Sequence, residues 1–314
     1  MSDTFKTTEV LIGDSGATSD GSTKTGTAER CEKKFQYQYV RQVYVPRAKN
    51  PKHFSVGAIF GATRAAWFTT KFATNKKAWL YIRHAAQREA ERQRLPVDPK
   101  DEAYAIALFE MYMEHWLKFP LPRPKAVEYK VGPHPKLLLT GSLDDLSEYP
   151  QSAYALAIGE CKTTAGDIAT SIKEYEFHTQ TLQYQALYLL GHYGNDKHPY
   201  GPVAGTVLDI TKKPEGKKKA AFHREFIEIP RQAVVTFIRT NSVRMARVAK
   251  MTWDDEALRS YQCTYQAGRA RVDCEYKKLC MHGASATGGY VLGDSGKSLR
   301  SHKPKDGQRK MPWE

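Results

Sequence analysis

The character of this chain changes once, near Pro120, and that change limits what it can fold into. Upstream, apolar residues recur at helical spacing between Pro51, Pro96, Pro99 and Pro120. The spacing predicts one long helix from about Ser55 to Arg94 and a second from Asp101, its N-cap, to Phe119. Downstream, short apolar and β-branched runs over 126–131, 136–146 and 153–162 are separated by Pro- and Gly-containing turns and read as strands. A helix from near Asp167 to Leu190 follows, then strands over 202–210 and 221–229, then a helix opening at Pro230 and reaching about Met251. Helices followed by β-β-β-α-β-β-α define an α/β core with an N-terminal helical elaboration. The expected divisions are a flexible N-terminus over 1–26, a helical region over 27–125, a core over 126–252, a cysteine-bearing segment over 253–284 and a flexible basic tail over 285–314.

Three charged residues within the strand region stand where neutral side chains would pack at less cost. Asp144 ends the run Gly141-Ser-Leu-Asp on the second predicted strand, and Glu160 and Lys162 lie in Gly159-Glu-Cys-Lys on the third. Residues 160 and 162 share a face of a strand while Cys161 points away. Two carboxylates and an ammonium group at neighbouring strand ends match the needs of phosphodiester hydrolysis: oxygen ligands for Mg²⁺ or Mn²⁺, and positive charge for the water or the phosphate. The backbone carbonyl of Cys161 is a further candidate ligand. Asp145 is the alternative to Asp144, because adjacent residues face opposite sides of a strand. In the following helix Gln180 and Tyr184 are four apart on one face, placed to meet a phosphate or the lysine. Taken alone, Glu-x-Lys is a common tripeptide and reads better as a solvated strand-edge pair; the flanking Gly141–Asp144 run and the Gln180/Tyr184 pair favour the catalytic reading.

Lys plus Arg number 48 against 34 Asp plus Glu, a formal charge of +14, and that excess favours a polyanionic partner, nucleic acid first. Lys212, Lys213 and Lys217–Lys219 concentrate part of it in one expected hairpin turn, where they read as a solvated loop or a DNA-backbone contact. No apolar run approaches the roughly 20 residues needed to cross a bilayer. The opening residues lack the pattern of a secretory signal, so a cytoplasmic protein without membrane partners is expected. Trp67, Phe68 and Phe72 at helical spacing read as core rather than as a base-stacking platform.

Five cysteines in a reducing compartment argue against a disulfide framework. Cys263, Cys274 and Cys280 cluster late in a charged setting, which invites a metal reading.

The order Gly-x-x-Asp144, Glu160-x-Lys162-Thr, Gln180-x-x-x-Tyr184 resembles the RecB-like branch of the PD-(D/E)XK nucleases. The early run from Thr27 through Cys31 to Tyr39 is similar to the opening helix of that branch, and Cys263, Cys274 and Cys280 look like its late cysteine cluster. The resemblance implies a mixed central sheet flanked by helices, and Mg²⁺- or Mn²⁺-dependent DNA exonuclease activity in replication, recombination or repair. It implies that Asp144 and Glu160 bind metal, that Lys162 is catalytic, and that Gln180 and Tyr184 complete the site. It further implies that Cys31, Cys263, Cys274 and Cys280 hold a [4Fe–4S] cluster, as in AddB-type helicase-nucleases, CRISPR-adaptation exonucleases and phage-encoded relatives. Zinc is the alternative for four thiolates. A helicase or recombinase partner would be in keeping with the branch.

Two positions depart from its pattern. The histidine that family members carry four residues after a helical glycine falls here on Gly61, with His84 as a candidate substitute. The late cysteines are spaced C-x₁₀-C-x₅-C where C-x₂-C-x₅-C is common. The alternatives are therefore a catalytically degraded nucleic-acid-binding scaffold on the same fold, or a zinc-stapled DNA-binding module.

Overall fold

The computed structural model describes residues 27–29, 31–40, 43–44, 52–93, 96–119, 121–122, 124–134, 139–149, 156–176, 178–190, 203–214, 219–251, 264–267, 270–274, 276, 279–280, 291–292 and 297–298. Contacts divide the chain into two units. One is Ala48–Pro135 with Leu139–Ile238; the other is Met1–Arg47, Lys136–Leu138 and Arg239–Glu314. The expected N-terminal helices and the sheet thus lie in one unit.

That unit begins with helices α1 (Lys52–Thr69), α2 (Lys76–Arg92) and α3 (Pro99–Lys118). The single long helix expected over 55–94 is two helices. Lys71 and Phe72 adopt positive φ, 54° and 65°, and Asn75 caps α2 by accepting the Ala78 N–H at 2.9 Å. Positive φ is costly for a phenylalanine. Burial offsets that cost, since the Phe72 ring centroid lies 4.8 Å from Trp67 and 5.1 Å from Phe68. Those aromatics belong to the core formed with Phe60, Phe109 and Tyr112, as expected of a core trio. Helix α3 starts earlier than expected. Asp98 is its N-cap, Pro99 its first residue, and Asp101 lies in the first turn.

Strands β1 (Pro124–His134), β2 (Leu139–Glu148), β3 (Leu156–Thr164), β4 (Val203–Lys212) and β5 (Ala221–Glu228) form one sheet in that spatial order. Only β3 and β4 are parallel, and the crossover between them carries α4 (Ile168–Glu176) and α5 (Thr179–Leu190). The expected single helix over 167–190 is therefore also two. Helix α6, Arg231–Ala249, follows β5. Residues 205–211 of β4 are buried without interruption, the burial expected of a central strand covered on both faces. This is the α/β architecture that the sequence implied. No helix among the described residues is long and apolar enough to cross a membrane.

Helix α1 is anchored to the sheet by a buried ionic network that sequence periodicity does not reveal. Arg64 Nη2 donates to Asp145 Oδ2 at 2.8 Å, and its Nε lies 3.2 Å from both Asp209 Oδ2 and the Tyr112 hydroxyl. Tyr112 in turn donates to Asp209 Oδ2 at 2.5 Å. Ser147 donates to the other oxygen of Asp145. Arg64, Asp145, Asp209 and Tyr112 are each no more than 1% exposed. Gly159, opposite Asp145 in the β2–β3 register, makes room: a Cβ there would lie 2.2 Å from the Asp145 carboxylate.

In the other unit, Val43–Tyr44 pairs with residues 291–292, which pair with 297–298, so the expected basic tail contributes two short strands. A two-stranded ladder joins Thr264–Ala267 to Ala270–Asp273. The expected first helix is a short α-helical turn, Glu32–Phe35, capped by Cys31 and continued by a π-helical turn, Gln36–Val40.

The buried network predicts opposite outcomes for two glycines. Gly159→Ala must displace Asp145 from Arg64, and should lower unfolding stability by about 3–5 kcal/mol, the usual cost of breaking a buried pair. Gly61→Ala meets nothing within 4 Å inside α1 and should raise stability by up to about 1 kcal/mol. Urea unfolding of the two variants beside the wild type reads both.

Candidate active site

The site forms where two strands separate. β2 and β3 are paired from Glu148↔Leu156 to Asp145↔Gly159, and there the pairing ends. Beyond it, β2 continues against β1 alone, through Leu143↔Tyr129, and β3 continues along β4, through Glu160↔Leu208 and Lys162↔Ile210. Asp144 and Glu160 are the first residues past the split, one on each strand. A half-buried N–H that has lost its strand partner at such a fork needs another acceptor. Asp144 supplies it: its Oδ2 accepts from the Cys161 N–H at 2.7 Å.

Strand β2 also changes face at this point. On one side of Asp144, Asp145 meets Arg64 of α1; on the other, the next odd-numbered contact is Gly141 against Tyr184 of α5. Strand β1 does the same about Glu128, whose φ is 49°. Val127 packs on the α1–α3 core while Tyr129 meets Tyr188 of α5. Regular alternation would keep those residues on one side; the left-handed backbone at Glu128 lies opposite Asp144, where both strands change face.

Alternation holds on β3. Cys161 packs into the core on the α1 side, where burial pushes its thiol well above its ordinary pKa and leaves it a neutral packing group. Glu160 and Lys162 point the other way and form an ion pair. Lys162 Nζ donates to Gln180 Oε1 at 3.0 Å, Gln180 Nε2 donates to the Tyr184 hydroxyl at 3.1 Å, and Nζ stands 5.6 Å from the Tyr175 ring centroid. The break between α4 and α5 brings both helices to Lys162. On one unbroken helix, residues five apart such as 175 and 180 would point roughly 140° away from each other. His178 opens the second helix by accepting the Gln180 N–H on Nδ1 at 3.2 Å. Tyr184 then packs close against β2, where a Cβ at Gly141 would be 2.8 Å from its ring.

The electrostatics of the pair differ. For Lys162, burial favours the neutral form, but Glu160, Tyr175 and Asp144 together outweigh it and hold the ammonium well above its ordinary pKa. For Asp144, burial dominates and raises the carboxyl above its usual range, against the opposing pull of Lys162, Arg64 and the Cys161 N–H. Two carboxylates and one ammonium leave this side of β3 one negative charge in excess. The donors are hard oxygens, with the Cys161 carbonyl beside them, a set that suits Mg²⁺ or Mn²⁺ completed by water and phosphate oxygens. Among the described residues no group of three or more His, Cys, Asp or Glu side chains is gathered for a metal.

A model of the PD-(D/E)XK nuclease superfamily matches residues 22–281. The chain belongs to that superfamily. No curated protein matches it. Two solved structures resemble this nuclease distantly. One is described as a "Putative exonuclease" from Eubacterium rectale, at 12% identity and a TM-score of 0.43, over 83% of this chain and 88% of that one. The other is SSO0001, at 10% identity and a TM-score of 0.26, over 67% and 82%.

The structure brings Asp144, Glu160, Lys162, Gln180 and Tyr184 of the nuclease together and sets Asp145 apart, with Arg64 on the opposite side of the sheet. His84 is exposed on α2 and lines a shallow groove with Arg83, Gln87, Glu102 and Glu110, none of them a site residue. A Cβ at Gly61, the expected histidine position, would meet nothing within 4 Å. Sequence reasoning missed Tyr175, whose position depends on the helix break, and Gly159, whose reason is the neighbouring Asp145 carboxylate. Of the cysteines, Cys31, Cys274 and Cys280 are part-buried without disulfides, Cys31 Sγ accepting from Lys34 N at 3.4 Å, while Cys263 lies outside the described residues.

The raised Asp144 pKa fixes the sign of a pH effect. The folded protein binds the Asp144 proton more tightly than the unfolded chain, so ionisation costs stability as pH rises above the unfolded carboxyl value of about 3.9. Asp144→Asn mimics the protonated form and keeps an acceptor for Cys161 N–H. In EDTA it should melt above the wild type at pH 7, with the gap closing as the pH falls through the carboxylate range. Thermal unfolding from pH 3 to pH 8 measures this.

Proposed function

We propose that this nuclease is a Mg²⁺- or Mn²⁺-dependent DNA exonuclease whose site is Asp144, Glu160, Lys162, Gln180 and Tyr184. The observation that carries the proposal is the convergence of two carboxylates and a protonated lysine at the fork between β2 and β3. DNA as substrate is supported by the family and by the charge of +14; action from ends is supported by the resemblance of the site motifs to the RecB-like branch. Asp144 and Glu160, with the Cys161 carbonyl, would hold the metal, which when bound supplies an activated water and neutralises charge on the phosphate. Lys162 is held protonated and cannot serve as a base; it places positive charge against phosphate oxygens. Gln180 fixes the ammonium, and Tyr184 fixes Gln180. The intact trio favours an enzyme over the scaffold reading despite Gly61.

A second element of the proposal concerns the cysteines. Cys31, Cys263, Cys274 and Cys280 would clip the N-terminal segment to the late segment through a [4Fe–4S] cluster, with zinc as the alternative. Local packing supports the juxtaposition: Tyr276, between two of the cysteines, stacks on Tyr37 at 5.6 Å and donates to the Val43 carbonyl at 2.8 Å. Closing so long a loop removes unfolded-state entropy. Protein purified without oxygen should contain iron and acid-labile sulfide, or else zinc, in a one-cluster or one-ion ratio that Cys274→Ser and Cys280→Ser abolish. Finding neither metal rejects the clip.

End-labelled linear single- and double-stranded DNA, beside a closed circle, tests the enzyme. The linear substrates should disappear with Mg²⁺ or Mn²⁺ and survive in EDTA, and the circle should survive throughout. Lys162→Ala should cut about 10²–10³-fold more slowly, the usual cost of removing one charge-stabilising group, while still binding DNA. Undiminished cleavage by that variant overturns the site, and loss of the circle turns the exonuclease into an endonuclease.

A further inference from the structure

We propose that Arg64 is a positioning residue for the metal-binding pair, setting the spacing of Asp144 and Glu160 by bracing β2 against β4 across β3. The inference rests on the metal reading above and deepens it. The three strands are adjacent in the order β2-β3-β4. Arg64 holds the outer two, reaching Asp145 on β2 at 2.8 Å and Asp209 on β4 at 3.2 Å. Both partners adjoin the site. Asp145 follows Asp144 in the chain, and Asp209 is the register partner of Cys161, which lies between Glu160 and Lys162.

The fork is therefore open on the side of Asp144 and strapped on the side of Asp145. Pairing between β2 and β3 stops at Asp145↔Gly159. Past that point, backbone hydrogen bonds no longer fix how far Asp144 stands from Glu160. What remains is the Asp144–Cys161 bond on one side and the guanidinium bridge on the other.

The shape of the group matters. Arginine presents a planar, rigid fork that can engage two acceptors with defined geometry, which a single ammonium cannot. The fork is itself held, by the Tyr112 hydroxyl at 3.2 Å and by the Phe68 ring at 4.2 Å. Stability alone accounts poorly for such a group, because apolar side chains of similar volume usually replace a buried ion pair with no loss. The surrounding core of Phe60, Trp67, Phe109 and Ile59 shows that this interior favours apolar packing where geometry permits. A buried charge kept among them has a geometric task, and the residues it aligns are the two carboxylates.

The test uses full-length protein with three readouts: Mn²⁺ affinity by electron paramagnetic resonance of the free ion, thermal midpoint, and nuclease turnover. Arg64→Lys keeps the charge and loses the fork. Arg64→Met with Asp145→Leu removes the bridge without stranding a charge, and leaves Asp209 its Tyr112 and Arg224 partners. The double variant is expected to melt near the wild type and yet bind Mn²⁺ about 10–100-fold more weakly, the range seen when groups that orient metal ligands are removed. Arg64→Lys should show the same direction. A purely structural role would lower the midpoint and leave Mn²⁺ affinity of the folded protein intact. A folded variant that binds Mn²⁺ within twofold of the wild type overturns the positioning role and leaves the metal reading standing. Wild-type protein that binds no Mn²⁺ and cuts no DNA overturns the metal reading, and this inference with it.

Discussion

A backbone N–H left behind where two strands diverge has to find an acceptor inside the protein, and at Cys161 it finds the side chain of Asp144. Much of the molecule is arranged around that one bond. It requires a carboxylate where β2 parts from β3, in a half-buried place where ionising it is costly. The cost is tolerable because Lys162 and the N–H itself oppose it. The helices α4 and α5 then serve to keep Lys162 where it does so.

The two faces of β3 solve the problem of buried charge differently. On the α1 side, Arg64 and Arg224 meet Asp145 and Asp209, so two positive groups face two negative ones and every charge has a partner within 4 Å. On the α5 side, two carboxylates share one ammonium. A balanced set is inert and suits a frame. An unbalanced set is a place where a cation and an anionic backbone can be received together.

The succession of strands and helices along the chain, and the shared face of Glu160 and Lys162, were legible in the sequence because both are local. A period of two on β3 separates Glu160 and Lys162 from Cys161 without reference to anything else, and Pro and Gly punctuate the strands. The helix breaks were not legible. Lys71 and Phe72 turn with positive φ in a stretch without glycine or proline, held there by rings that belong to the tertiary core. The Arg64 network was illegible for another reason. Its members are separated by 81 and 145 residues, and each on its own reads as a surface charge. The left-handed backbone at Glu128, opposite the point where β2 changes face, is likewise something a strand pattern cannot anticipate. The cysteines stand between these cases, with their spacing readable and Cys263 outside the described structure.

The contact of Tyr184 with Gly141 couples two positions that lie far apart in the chain. Their sizes are exchangeable only together, because atoms added at 141 demand a smaller ring at 184. Yet shrinking residue 184 removes the hydroxyl on which Gln180 rests. Every neutral route away from glycine is thereby closed by the residue across from it. A descendant that abandoned nuclease chemistry would be released from the constraint, so simultaneous change at both positions would be an early molecular record of a site fallen out of use.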